Sequence, residues 1–457
     1  MKLEIDNIFK NLDVKKIDKN TYNKSFLTSL YSEKKHPIVI YGVSRTGLMA
    51  LCGFENISVK VDYFIDDDVS KSDKNYYGIR NITPEKLSEI DKDSYIFISH
   101  VFFDKSLSKL LSLGFKNVYS CVDLFYMTDF SSNFSKDFLS KENPEFSQDF
   151  LSSLNPNPVK LEGWVDLHYY NALKFLSLKS KKLIMTNVDF CITERCSMKC
   201  KECSNLMQYY ENPKNTEENT MMKSMDILMS CVDELLEARV FGGDPFMNKE
   251  MYKYVNKLQT YKNIKHIPIY TNAVLMPKDE NLECLKNSKV RVHITDYGSK
   301  LTRKKDEVIN FCIKEGVSWD CDLSGKWETI HTQSGKIENT NETPEVLKDK
   351  FSKCCLNNLF QVLHGKVYKC PFSAHGTNMR FFPSSDKYDF IDLFDEKIER
   401  SELKRKIYDF YHSDNYLSAC GYCPGRGALI RGEPTLEPAI QTKKYLPFEG
   451  EKVASNS

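Results

Sequence analysis

Nine of the fifteen cysteines gather in two short regions, and this grouping constrains the chain more than any other feature. The first group is Cys191, Cys196, Cys200 and Cys203, and the second is Cys354, Cys355, Cys370, Cys420 and Cys423. An odd total in a chain with no secretory signature argues for metal or redox chemistry rather than a disulfide framework. Cys52, Cys121, Cys231, Cys284, Cys312 and Cys321 instead stand singly inside apolar patterns, where free cysteine behaves as a small core hydrophobe. Two groups predict two metal sites, and the fold must bring each group together.

Charge and hydropathy exclude several alternatives. Lys plus Arg number 64 against 63 Asp plus Glu, a formal charge of +1, so no global field draws the surface to nucleic acid or to an anionic membrane. No apolar run approaches the roughly 18 residues of a membrane span. Met1 to Asp6 carries acids where a signal peptide wants an apolar core. The expectation is a soluble cytoplasmic protein with no nucleic-acid or membrane partner. At about 100 to 200 residues per domain, 457 residues predict two to four domains.

The order of elements supplies the fold class, α/β. After a charged preamble to His36 with one or two short helices, strands are predicted at Pro37–Tyr41, Val59–Ile65, Tyr95–Ser99 and Val118–Val122, with helical patterns between them. This alternation implies a parallel sheet, and residues 1–126 form the first domain. Residues 127–181 read as a linker with a helix around Trp164 to Leu178. Residues 182–328 then show strand-like runs at Lys182–Ile192, Glu237–Phe241, His266–Thr271, Val290–Thr295 and Val317–Asp322, which predict a partial (β/α)6 barrel. Met222, Met225, Met229, Val232 and Leu236 fall at helical spacing and read as core. Residues 329–457 are polar, loop-rich and carry the second cysteine group.

Cys196, Cys200 and Cys203 form a C-x-x-x-C-x-x-C loop leaving the first barrel strand. Three thiolates there can wrap one compact centre; iron-sulfur cubanes normally take four, so three would leave one iron open. Zinc with Cys191 as fourth ligand is the alternative, although Cys191 lies inside the strand pattern.

The cysteine loop, followed 39 residues after Cys203 by Gly242-Gly243-Asp244-Pro245, resembles the radical S-adenosylmethionine (SAM) superfamily, whose corresponding motif is Gly-Gly-Glu-Pro. The resemblance implies a TIM-like barrel with a SAM-binding 4Fe-4S cluster on Cys196, Cys200 and Cys203. It also implies reductive cleavage of SAM to methionine and a 5'-deoxyadenosyl radical, fed by a flavodoxin or ferredoxin. Both motifs would then sit at the C-terminal ends of strands, where barrels place function. Gly242, Gly243 and Pro245 would shape the SAM turn, Gly242 and Gly243 holding the methionyl amino group while Asp244 supplies charge nearby. Thr271 and Asn272 in Tyr270-Thr271-Asn272, and Thr295 in His293-Ile294-Thr295-Asp296-Tyr297-Gly298, resemble the strand ends that meet the ribose and carboxylate. Glu202 departs from the family, which often has an aromatic residue before the third cysteine.

The second group resembles the auxiliary-cluster extensions of the same superfamily, closer to the shorter twitch type than to the two-cluster SPASM type. The resemblance implies one auxiliary 4Fe-4S cluster on Cys355, Cys370, Cys420 and Cys423, with Cys354 the spare or the substitute for Cys355. A zinc ribbon is the alternative for this pair of elements. Gly42-Val43-Ser44-Arg45-Thr46-Gly47 with Asp66 approximates a dinucleotide fingerprint, with Ser44 in place of the middle glycine. The first domain is more similar to small Rossmann-like domains of glycan enzymes that hold nucleotide-sugars. The leading expectation is therefore a small-molecule substrate, a carbohydrate or nucleotide-sugar that is oxidised, epimerised or eliminated. A peptide side-chain maturase and a non-catalytic zinc scaffold are the alternatives.

Overall fold

The computed structural model describes residues 24–33, 35–68, 71–76, 78–99, 103–127, 359–425, 435–450 and 452–453, and residues 166–357 apart from 168, 172, 175, 176 and 179. The expected elements before residue 24 and most of the expected linker lie outside the described residues. The chain divides into two compact units, Met1–Ile184 and Met185–Ser457. Among the described residues no helix is long and apolar enough to cross a membrane.

The first unit is built on a six-stranded sheet of order β3-β4-β2-β1-β5-β6. Its strands are β1 (Ile38–Tyr41), β2 (Tyr63–Ile65), β3 (Asn75–Tyr76), β4 (Ile79–Ile82), β5 (Tyr95–Ile98) and β6 (Asn117–Ser120). β1 pairs in parallel with both β2 and β5, and only the short β3 runs antiparallel, against β4. Side chains alternate across the sheet: Ile38 and Ile40 enter one core with Phe54 and Phe97, and Val39 and Tyr41 enter the other with Phe103 and Phe115. Both faces are thus covered, as a parallel sheet requires. The hairpin β3–β4 was not predicted, and β2 is shorter than expected because Val59 and Val61 are buried without joining the ladder.

The fingerprint-like loop after β1 satisfies itself. Ser44 caps the helix Arg45–Asn56 by accepting from Gly47 N. The Asp66 carboxylate accepts from Val43 N at 2.7 Å and from Lys71 Nζ at 3.2 Å. Gly47 is required, since a Cβ there would lie 2.0 Å from Gly42 O.

The second unit carries an eight-stranded sheet of order β11-β10-β9-β8-β7-β12-β13-β14. These are β7 (Ile184–Thr193), β8 (Glu234–Gly242), β9 (Ile264–Thr271), β10 (Val290–Asp296), β11 (Ser318–Leu323), β12 (Phe360–Leu363), β13 (Lys366–Tyr368) and β14 (Phe390–Asp392). β8 to β11 pair successively in parallel, as expected for β/α units. The sixth parallel strand is not a next unit in sequence: β12, from beyond residue 328, pairs in parallel with β7 on the opposite side, and β13 and β14 continue antiparallel. The four-residue run Phe360–Leu363 is too short for periodicity to separate from a loop. The methionine stripe is core, but its helix ends at Cys231; Leu235 and Leu236 belong to β8, and Met221 is buried in place of the half-buried Met222.

Candidate active site

β7 delivers the cysteine loop to the C-terminal edge of the sheet, where the end of β8 receives it. Gly243 N donates to Thr193 O at 2.9 Å and Asp244 N to Arg195 O at 2.8 Å, while Asn205 Nδ2 donates to Gly242 O at 3.2 Å. A Cβ at Gly242 would lie 2.2 Å from Thr193 O, and one at Gly243 would lie 2.2 Å from Arg195 O and 2.9 Å from Cys196 Cβ. Gly242 also has φ +143°, a conformation that disfavours side chains. The glycine pair therefore lets the cysteine loop rest directly on the end of β8.

A segment that sequence reasoning did not connect closes the other side. Lys201 N donates to Ile440 O at 2.7 Å, Thr442 N to Lys199 O at 2.8 Å, and Lys199 N to Gln441 Oε1 at 2.8 Å. Gln441 Nε2 then donates to Cys200 Sγ at 3.2 Å. Cys196 Sγ accepts from Asn272 Nδ2 at 3.6 Å. Burial pushes the Cys200 thiol up to about 12, the neighbouring Cys203 adding to it, and burial also holds Cys196 well above the ordinary thiol range. Loading metal on these sulfurs must therefore release protons.

Asp244, expected to supply charge nearby, is held by its own neighbours. Its fully buried carboxylate accepts from Phe246 N at 2.9 Å, Asn272 N at 3.1 Å and Thr271 Oγ1 at 3.1 Å. Burial raises it to about 6, against these hydrogen bonds. It ties the end of β8 to the end of β9 and so places Thr271 and Asn272, while Pro245 opens the turn that follows.

Around the cysteine loop lies a cavity of about 390 Å³. Cys196, Cys200, Cys203, Gly242, Gly243, Thr271, Asn272 and Thr295 all line it; Asp244 and Pro245 do not. Tyr297 and Trp327, edge to face at 5.9 Å, supply aromatic wall. Glu202, which stands where the family often has an aromatic residue, turns its carboxylate to Ile330 N (2.9 Å) and His331 Nδ1 (2.8 Å), and His331 Nε2 meets Tyr209 OH at 2.7 Å. That network fixes segment 329–331 beside the loop.

Adjacent cysteines of the second group diverge. Burial raises the Cys354 thiol, with Cys370, Cys423 and Cys355 adding to it, and burial raises Cys420, with Cys423 and Cys354 adding to it. Cys370, Cys420 and Cys423 pack on one hydrophobic cluster around Phe351, Phe372 and Phe382. Cys355 is exposed and lines the cavity of the first group. The expected Cys355 and the alternative Cys354 thus follow the helix Pro344–Ser352, with Leu356 N on Cys354 Sγ at 3.4 Å, while the expected Cys420 and Cys423 lie at the turn Ser418–Tyr422. Lys350 Nζ donates to Cys423 O at 2.8 Å and to Cys420 O at 3.3 Å and pairs with Glu342, which holds the Cys420–Cys423 turn against that helix.

Sulfur spacing bears on which metal fits. Tetrahedral zinc with bonds of about 2.3 Å needs sulfurs roughly 3.8 Å apart. Among the described residues neither cysteine set brings three sulfurs within 4.8 Å of one another, which leaves room for a cubane with its wider-spaced ligands. Cys191 is not part of either set: it is fully buried in β7 among Leu363, Tyr368 and Phe390, 3.9 Å from His375 Nε2.

No family model matches the chain. A GTP 3',8-cyclase of Clostridium acetobutylicum is 29% identical over 99 residues, 20% of this chain and 30% of the relative. One of Campylobacter jejuni subsp. jejuni serotype O:6 is 24% identical over 170 residues, 35% of this chain and 50% of the relative. The chain thus spans between about a quarter and a half of the curated relatives it matches. Among solved structures, BtrN in complex with AdoMet and 2-DOIA aligns at 16% identity over 53% of this chain and 93% of that one, with a TM-score of 0.32. anSMEcpe with bound AdoMet and Kp18Cys peptide aligns at 14% over 57% and 92%, with a TM-score of 0.34.

A polar row crosses the sheet on the face that carries Phe241 and Tyr270, both of which line the cavity. Gln361 is the register partner of Asp189, and Tyr270, His293 and Asp320 are successive partners. Arg239 bridges the two halves, 2.7 Å from Glu237, 3.8 Å from Asp189 and 5.3 Å over the Tyr270 ring. His293 Nδ1 lies 2.8 Å from Asp320. Asp189 Oδ1 and both amide atoms of the wholly buried Gln361 have no hydrogen-bond partner in the protein, and such orphaned groups signal a missing polar partner. Burial raises Asp189 to about 7, with Arg239 opposing. Sequence reasoning missed this row, although charged residues recurring at alternate positions of otherwise apolar strands were its signal.

Proposed function

We propose that Cys196, Cys200 and Cys203 ligate the SAM-binding cluster, that Cys354, Cys370, Cys420 and Cys423 ligate the auxiliary cluster, and that the chain abstracts hydrogen from a polyhydroxylated small molecule. The observation that carries this reading is the single cavity shared by three mutually coupled thiols, the close-packed glycine pair and three polar strand ends. When bound, the reduced cluster and SAM supply a 5'-deoxyadenosyl radical, chemistry that side chains cannot perform. The chain's own part is to position and enclose. Thr271, Asn272 and Thr295 offer hydrogen bonds to SAM, Tyr297 and Trp327 offer apolar faces, and the barrel excludes water from a reactive intermediate.

The polar row supports the carbohydrate-class reading. Three carboxyl groups, Asp189, Glu237 and Asp320, accompany one guanidinium, Arg239. That balance suits hydroxyl or amino groups and opposes a diphosphate, so a free sugar or aminocyclitol fits better than a nucleotide-sugar at the floor of the barrel. The test is anaerobic reconstitution with iron and sulfide, followed by measurement of iron per chain and of 5'-deoxyadenosine released with SAM and dithionite. About eight irons are expected, with nucleoside release that disappears in Cys200→Ala and rises when the right polyol from a panel is added. Stoichiometric zinc without SAM cleavage would overturn the enzyme reading, and stimulation by peptides alone would overturn the substrate class.

A further inference from the structure

The inner face of the barrel holds buried polar atoms that the protein leaves without partners. Asp189 on β7 and Gln361 on β12 are register partners, so their side chains stand on one face of neighbouring strands about 5 Å apart. Both residues are buried, yet Asp189 Oδ1, Gln361 Oε1 and Gln361 Nε2 have no hydrogen-bond partner among the described residues. We propose that Asp189 and Gln361 anchor a vicinal amino alcohol: its ammonium donates to Asp189 Oδ1 and Gln361 Oε1, and its neighbouring hydroxyl oxygen accepts from Gln361 Nε2. This deepens the small-molecule reading above and rests on it.

Hydrogen-bond inventory, charge and space select that ligand. The orphaned atoms are acceptors on both residues and an amide donor on Gln361, so the missing partner must both give and accept hydrogen bonds. A diol could satisfy the same inventory, and charge decides against it. Arg239 Nε donates to Glu237 at 2.7 Å while the same guanidinium lies 3.8 Å from Asp189 Oδ1, so one cation serves two carboxylates. Arg291, on the same face two residues before His293, leaves its buried Nε orphaned as well; even with that guanidinium counted, Asp189, Glu237 and Asp320 outnumber the arginines. A primary ammonium supplies the missing positive charge together with three N–H donors. Burial raises Asp189 to about 7 against the opposing Arg239, and a bound ammonium would hold that carboxylate ionised. Glu237, Arg239, His293 and Asp320 keep 15 to 20% of their side-chain surface accessible, so the row fronts open space. Tyr270 joins the row to the cavity, which it lines, while Arg239 lies 5.3 Å over its ring.

Binding can be read without turnover. The probes are trans-2-aminocyclohexanol, cyclohexylamine and trans-cyclohexane-1,2-diol, each titrated anaerobically into the iron-loaded chain with SAM and followed by saturation-transfer NMR. The amino alcohol should bind most tightly of the three, and about tenfold or more weakly in Asp189→Asn and in Gln361→Leu than in wild type. Gln361→Leu should melt no lower than wild type, because removing an unpartnered buried amide loses no hydrogen bond. Amino alcohol binding unchanged in both variants, as when ordered water alone fills the site, overturns the proposal. So does a diol or simple amine that binds as well as the amino alcohol, silence of all three probes, or a lowered melting temperature in Gln361→Leu, which would show its amide already partnered. The small-molecule reading falls separately, if 5'-deoxyadenosine release answers to peptides and to no hydroxylated compound.

Discussion

Gly243→Ala isolates what the glycine pair does. The added Cβ would sit 2.2 Å from Arg195 O, 2.5 Å from Arg195 C and 2.9 Å from Cys196 Cβ, roughly 1 Å short of ordinary contact with a backbone that cannot rotate away. Either the end of β8 or the cysteine loop must shift by about that distance. Overpacking of this kind costs about 1 to 3 kcal/mol, tolerable for a barrel whose other contacts are untouched. The functional loss should be larger, because a misplacement of about 1 Å near reacting groups lowers rate on the order of a hundredfold. Thermal denaturation, iron content and the rate of 5'-deoxyadenosine formation measured on one preparation separate the two effects. The expected result is a folded variant with a modestly lower melting temperature, iron retained at the auxiliary quartet, and SAM cleavage reduced by about two orders of magnitude. Wild-type cleavage in a fully loaded variant would refute the claim that close packing of β8 against the cysteine loop positions the site.

Three further outcomes follow from other contacts. Asp189 titrates near 7 in the fold but near 4 when unfolded, so between those values the native state holds a proton that the unfolded chain has released. The contribution of Asp189 to the stability of the metal-free chain should therefore fall from about pH 4 to about pH 7, by at most about 4 kcal/mol; the urea midpoint of Asp189→Asn should gain on that of the unsubstituted chain across this range, and a constant difference would sink the assignment. Lys350→Met removes the cation that binds Cys420 O and Cys423 O, so reconstitution should give about four irons rather than about eight, with SAM-dependent spectral changes retained; full loading would show that the turn forms without it. Gln441→Leu removes the N–H donated to Cys200 Sγ. Because hydrogen bonds to ligating sulfur stabilise the more electron-rich reduced state, the SAM-binding cluster should shift to a more negative potential in an EPR-monitored redox titration, and an unmoved potential at full iron content would refute the role.

Local sequence carried much of the site because the relevant residues are close in the chain or sit at strand ends. Cys196, Cys200 and Cys203 fall within eight residues, so one loop suffices to gather them, and Gly242, Gly243, Thr271, Asn272 and Thr295, singled out at strand ends, line the same cavity. The same alternation predicted β7 to β11 and the parallel sheet of the first unit. Spacing identified the motif around Asp244, yet only the folded neighbours show its carboxylate accepting from Thr271, Asn272 and Phe246.

What tertiary structure alone decided involves distance along the chain or the direction of a side chain. Gln441 reaches Cys200 across 241 residues, and β12 enters the sheet beside β7 from beyond the expected barrel boundary; no local pattern encodes either pairing, because strand order is set by which faces can be buried together. Cys354 and Cys355 are chemically identical neighbours, and only the folded backbone shows that Cys355 lines the cavity of the first cysteine group while Cys354 does not. The polar row lay in view as isolated polar side chains in six strands, but register made it one continuous surface. Composition and spacing determined which chemistry the chain can carry, and packing determined which of its residues are free to perform it.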